Sequence, residues 1–167
     1  MSAPARVLAV DLGDRRIGLA STGDRGEVRG LPTLARAAGP SLDAIRLATI
    51  VREQRIATLA VGLPLHSDGA WSAQADRTRA WALAVAGELG LALAFVDERY
   101  SSERAAERLG PAKRGRSGGA PGPARREARR AAIDRAAAML ILEDYASGRL
   151  VLSPADAERL AASGSRA

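Results

Sequence analysis

The chain has 167 residues, with 25 Lys and Arg against 19 Asp and Glu, a formal net charge of +6, one histidine and no cysteine. That is one domain's worth of chain, and 47% hydrophobic with 26% charged residues is a globular balance. Disulfides, thiolate sites and cysteine nucleophiles are excluded, and so is a histidine zinc site, so catalysis would have to rest on carboxylates and arginines.

The start of the chain meets charge too early for a signal peptide or spanning helix, and the expected location is the cytoplasm with no membrane partner. Arg6 to Asp11 is an apolar run ending in an acid. After Leu12, Gly13 and Asp14 comes a second run, Ile17 to Thr22, and after a turn at Asp24 to Gly26 a third, Val28 to Leu34. This predicts an antiparallel meander. Pro40 and Ser41 open a helix to about Gln54, with Ser41 as N-cap and Leu42, Ile45, Leu47, Ile50 and Val51 as its apolar stripe. Thr58 to Gly62 is short and continuously apolar, as in a buried parallel strand. A loop then leads to a helix from Ser72 to Glu88, stopped by Gly90. Leu91 to Val96 is the fifth strand, ending in Asp97, Glu98 and Arg99, and Ser101 or Ser102 caps a short helix. Residues 110–124, rich in glycine, proline and basic side chains, are expected as a flexible loop, and Arg125 to Ser147 as the longest helix.

The expected architecture is α/β: a five-stranded mixed sheet, an antiparallel meander followed by parallel strands, with helices on both faces. Residues 1–150 are expected as a single domain and 151–167 as a C-terminal tail, frayed after Pro154. In such sheets ligands gather at the carboxyl ends of the central parallel strands.

Charge is unevenly placed. Lys113, Arg114, Arg116, Arg125, Arg126, Arg129 and Arg130 face only Glu127 between positions 113 and 130, so this stretch carries the whole net charge. It reads either as a solvated arginine-rich face or as a site for polyanions.

Three acidic positions stand out. Asp11 ends what should be a central strand, where it serves equally as a turn cap or as a site residue. Asp97 and Glu98 repeat that placement, and because side chains alternate along a strand only one of them can share Asp11's side of the sheet. Asp134 interrupts an apolar helical stripe, with Ala137, Ala138 and Ile141 at i+3, i+4 and i+7. A carboxylate there needs a cation, either Arg130 four residues back or a metal shared with Asp11 and Glu98. Three such carboxylates make an oxygen-only set of the kind Mg²⁺ or Mn²⁺ prefers, suited to hydrolysing a phosphodiester without His or Cys.

Taken in order, Asp11 to Ala20, Val61 to Pro64 with Asp68 and Gly69, Asp97 to Ser102, and Ile133, Asp134, Ala136, Ala137, Ile141 and Leu142 resemble the YqgF/RuvX family. The likeness runs from Val7 to about Tyr145. It implies an RNase H-like fold and a nuclease associated with 5′ maturation of pre-16S rRNA or, by kinship with RuvC, a Holliday-junction resolvase. The family's metal-binding acids would fall on Asp11, Glu98 and Asp134, with Asp97 the substitute for Glu98. Ser101 and Ser102 stand where the family usually has threonines, and the 110–124 loop is longer than is typical.

Arg16 and Arg99 lie beside these acids, where they either hold a phosphate or pair with Asp14 or Glu98. His66 is expected as a loop residue, Trp81 in the core, and Trp71 as a platform for an unpaired base. The expected partner is structured RNA or branched DNA, bound by a monomer or weak homodimer mainly through phosphates. A non-catalytic nucleic-acid-binding factor is the competing reading. An actin-like ATPase ranks below it, since one lobe is all that 167 residues supply.

Overall fold

The computed structural model describes residues 5–99, 101–112 and 120–164. In it β1 (Arg6–Leu12), β2 (Arg16–Thr22) and β3 (Val28–Ala35) form the expected antiparallel meander. α1 (Pro40–Glu53) then crosses to β4 (Ile56–Leu63), parallel to β1, and α2 (Ala73–Leu89) crosses to β5 (Ala92–Asp97), parallel to β4. α3 (Ser101–Leu109), α4 (Pro123–Ala146), β6 (Val151–Leu152) and α5 (Pro154–Gly164) complete the order.

The sheet has six strands, not five, in the order β3-β2-β1-β4-β5-β6. The added strand, β6, is two residues pairing antiparallel with Phe95 and Val96, too short to leave a period in the sequence. α5 then stands where a frayed tail was expected, and buries Ala157 in the core.

Alternation along β1 divides the molecule. Leu8, Val10 and Leu12 face the cluster that holds Leu47 of α1 and Trp81, Ala82 and Val85 of α2. Val7 and Ala9 face the cluster that holds Ala138, Ile141 and Leu142 of α4. Helices therefore cover both faces, as expected.

α2 keeps its expected ends. Ser72 accepts from the Ala75 backbone N–H, and Gly90 closes the helix in the left-handed conformation with φ 64°. α1 differs. Its N-cap is Gly39, with Pro40 opening the helix, while the Ser41 hydroxyl donates to Glu88 on α2. Leu42 and Ile45 are exposed, and the buried face carries Asp43, Ala44 and Leu47. The reason is polar. Asp43 is fully buried and accepts from Arg36 Nε at 2.9 Å, from the Ala37 backbone N–H at 2.7 Å and from Trp81 Nε1 at 2.9 Å. A buried carboxylate with three donors sets the rotation of the helix more firmly than two leucine-sized side chains can.

Candidate active site

Asp11 lies one residue before the end of β1, and alternation sends it to the α4 side with Val7 and Ala9. Directly across the antiparallel pair is Gly18. A Cβ at Gly18 would stand 2.5 Å from the Asp134 carbonyl carbon and 3.1 Å from the Asp134 Cβ, so only glycine lets α4 lie this close to β2. Ala138, one turn on, is buried against Ala9 and Ala20 of the sheet, while Ala136 and Ala137 pack against Ala105 of α3. The approach brings Asp134 to Asp11, and the two carboxylates repel.

Glu98 follows the last residue of β5 and shares the α4 side with Val96, two residues back. A Cβ at Gly62 on β4 would overlap Glu98 Oε2 and stand 2.5 Å from Ile141 Cδ1, so a glycine inside an apolar strand makes the cradle for this carboxylate. Glu98 Oε2 is buried and, among the described residues, accepts no hydrogen bond. Burial, then the charges of Asp11 and Asp97, raise the Glu98 carboxyl well above the usual range. Burial, then Asp134, push Asp11 up to about 7. Asp97 points elsewhere: Arg99 Nε and Nη2 fork it at 2.9 and 2.8 Å, and Arg99 Nη1 reaches the Ser67 carbonyl at 3.4 Å, bracing the loop after β4.

The counter-ion of Asp134 is not Arg130. Arg16 Nε donates to Asp134 Oδ2 at 2.6 Å and Arg16 Nη1 to Glu127 Oε1 at 2.8 Å, while Arg130 lies exposed, 3.9 Å from Glu127. A partner four residues away on one helix surface lost to one from a neighbouring strand because Asp134 faces inward, toward β2. Arg16 and Arg99 thus pair with acids other than Asp14 and Glu98. Glu127, the single acid of the basic stretch, is the residue that sequence reasoning left without a role, and its isolation among arginines was the available signal. Among the described residues no three His, Asp or Glu side chains are gathered tightly enough to hold an ion as they stand.

Arg125, Arg126, Arg129 and Arg130 lie on the first two turns of α4, within about three turns of Asp134. Arg126 Nη1 donates to the Pro121 carbonyl and Arg129 Nη2 to the Gly110 carbonyl at 2.7 Å, tying the ends of the preceding loop. Lys113, Arg114 and Arg116 lie outside the described residues. The structure starts α4 at Pro123, so the loop ends two residues earlier than expected. Trp81 is buried, and His66 is exposed in its loop. Trp71 is not an open stacking platform: it is partly buried against the core, and its Nε1 donates to Asp76 at 2.7 Å.

Residues 5–147 match the family described as "RuvX: Holliday junction resolvase". The chain belongs to the RuvX family. A protein of Pelotomaculum thermopropionicum named "Putative pre-16S rRNA nuclease" is 33% identical to it over 141 residues, covering 84% of this chain and 85% of its own length. A protein of Synechococcus elongatus with the same name is 37% identical over 139 residues, covering 83% and 86%. The structure of RuvC from T. thermophilus in complex with a Holliday junction substrate superposes with a TM-score of 0.50 at 18% identity, over 88% of this chain and 98% of that one. That likeness is one of fold, and the fold is RNase H-like.

Proposed function

We propose that this chain is a metal-dependent endonuclease of 5′ pre-16S rRNA maturation, in which Asp11, Glu98 and Asp134 hold one or two divalent cations. As a member of the RuvX family it is a nuclease, and nucleic acid is its substrate. The observation that carries the metal reading is the buried Glu98 Oε2, which accepts no hydrogen bond among the described residues and sits on one face of the sheet with a second carboxyl driven up to about 7. Carboxylates crowded at this cost are relieved by a cation, and an all-oxygen set suits Mg²⁺ or Mn²⁺. When bound, such a cation supplies Lewis acidity for attack of water on a phosphodiester.

The chain's own residues do the rest. Gly18 lets Asp134 approach Asp11 and Gly62 makes room for Glu98, and the Arg99–Asp97 pair holds the loop after β4. Arg16, Arg99, Lys113, Arg114, Arg116, Arg125, Arg126, Arg129 and Arg130 bind backbone phosphates, a mainly electrostatic mode that weakens steeply with salt. The chain acts as a single domain in the cytoplasm, as a monomer or weak homodimer.

The test is cleavage of a labelled pre-16S rRNA 5′ leader beside a four-way DNA junction, with Mg²⁺ or Mn²⁺, comparing wild type with Asp11→Asn and Asp134→Asn. Metal-dependent cutting of the RNA, lost in both variants, is the expected result. Cutting of the junction alone would favour the resolvase reading, which the family's description supports and which calls for a two-fold dimer. Binding of both substrates without cutting of either would replace catalysis by a binding role.

A further inference from the structure

Arg16 sits where the turn between β1 and β2 meets α4, and one guanidinium spans two acids of that helix, Asp134 through Nε and Glu127 through Nη1. The Arg16 and Asp134 side chains are 20% and 22% exposed, so their contact is shielded from solvent and only weakly screened. A charge-assisted contact at 2.6 Å is of the strong kind, and it occupies a carboxylate oxygen that a cation would need. The guanidinium charge also repels a cation brought to the same carboxylate. Asp134 therefore has two competing counter-charges, one from within the chain and one from solution. Among the described residues, Glu98 Oε2 accepts no hydrogen bond.

We propose that Arg16 is the resident counter-ion of Asp134 and is displaced when a divalent cation binds, so that cation uptake and release of this guanidinium are a single exchange. The inference rests on the reading of Asp134 as a metal ligand. Glu127 gives the exchange its second half. After Asp134 is surrendered, the contact through Nη1 keeps Arg16 tethered at the rim of the site, with its Nε free to take a nucleic-acid phosphate. Arg16 is thus a positioning residue that occupies Asp134 until a cation takes its place and then turns toward the substrate.

The test is a calorimetric titration with Mn²⁺, without nucleic acid, of wild type, Arg16→Gln, Asp134→Asn and the double variant. The expected result is about tenfold tighter binding by Arg16→Gln, equivalent to about 1.4 kcal/mol, weaker binding by Asp134→Asn, and loss of the Arg16→Gln gain in the double variant. Unchanged or weaker binding by Arg16→Gln, with Asp134→Asn still weakened, overturns the exchange and leaves the metal site standing. A gain that persists in the double variant also overturns it, since Arg16 would then act only through its general field. Indifference of Mn²⁺ affinity to Asp134→Asn in both backgrounds overturns the reading of Asp134 as a ligand and the exchange with it. A second measurement uses the wild type alone, through the arginine Nε–H resonances. The Arg16 signal, identified by its loss of shift in Asp134→Asn, should move to the position of an unpaired arginine as Mg²⁺ saturates the site. A signal that stays in place at saturation refutes displacement whether or not the Arg16 variant folds.

Discussion

Replacing Asp11 by Asn removes a charge that the fold makes expensive, so the variant should be inactive and, without metal, more stable than the wild type. The wild-type carboxyl is raised from 3.8 to about 7, by burial first and by Asp134 second. A carboxyl raised in the folded state favours folding relative to its ionised form only at low pH. That advantage is complete below the unfolded value and is lost as the pH climbs through about 7. At about 1.36 kcal/mol per pH unit of difference, the raised carboxyl destabilises the folded chain by up to about 4 kcal/mol at pH 8, and by about 2 kcal/mol at pH 5, where the folded form keeps its proton and the unfolded form has lost it. Asn cannot ionise and keeps nearly the same volume. Urea unfolding in the presence of a chelator should therefore show Asp11→Asn more stable by about 2–4 kcal/mol at pH 8, with the gap roughly halved at pH 5. Saturating Mg²⁺ at pH 8 should narrow the gap from the other side, because the wild type gains the binding free energy and the variant gains less. A variant no more stable than wild type at pH 8, or a gap of the same size at both pH values, would refute the account of Asp11 as a charge held at the expense of stability.

Gly18→Ala places a methyl group 2.5 Å from a backbone carbonyl carbon of α4. It should cost about 1–3 kcal/mol, as overpacking does, and reduce cleavage per folded molecule at least tenfold by pushing Asp134 away from Asp11; urea unfolding and single-turnover cleavage measure the two effects, and undiminished cleavage would count against the close approach. Asp43→Ala strands Arg36 and the Trp81 N–H on the opposite face of the sheet. Breaking this buried pair should cost about 3–5 kcal/mol, a fall of about 10 °C or more in melting temperature, while cleavage by the molecules still folded at low temperature is unchanged. The double variant Arg125→Gln, Arg130→Gln should weaken nucleic-acid binding and reduce the slope of log affinity against log salt by about 0.7–0.9 for each phosphate contact removed. Filter binding across a salt series reads this, and an unchanged slope would place the backbone elsewhere.

Much of this was legible without coordinates. The succession of elements, both crossovers and the ends of α2 follow from apolar runs, Ser72 and Gly90, because these are local signals that neighbours in sequence decide. The inward stripe around Asp134 was equally plain, since alanines at helical spacing mark a face that approaches something closely. The elements misread were those whose partners are distant in the chain. The rotation of α1 is set by Arg36 and Trp81 acting on Asp43, and the strand character of Val151 and Leu152 exists only because β5 offers them an edge.

The sequence by itself determined which chemistry was available: carboxylates and arginines, with no cysteine and a single histidine, and an excess of positive charge confined to one stretch. Only the tertiary structure decided how those groups are used. It turned Glu98 toward Asp11 and gave Asp97 to Arg99, because the pleat commits neighbouring side chains to opposite faces and the strand's place in the sheet decides which face is which. It also gave Asp134 to Arg16 instead of Arg130, because an ion pair depends on which groups packing brings together, and spacing along one helix specifies only the surface that the helix keeps for itself.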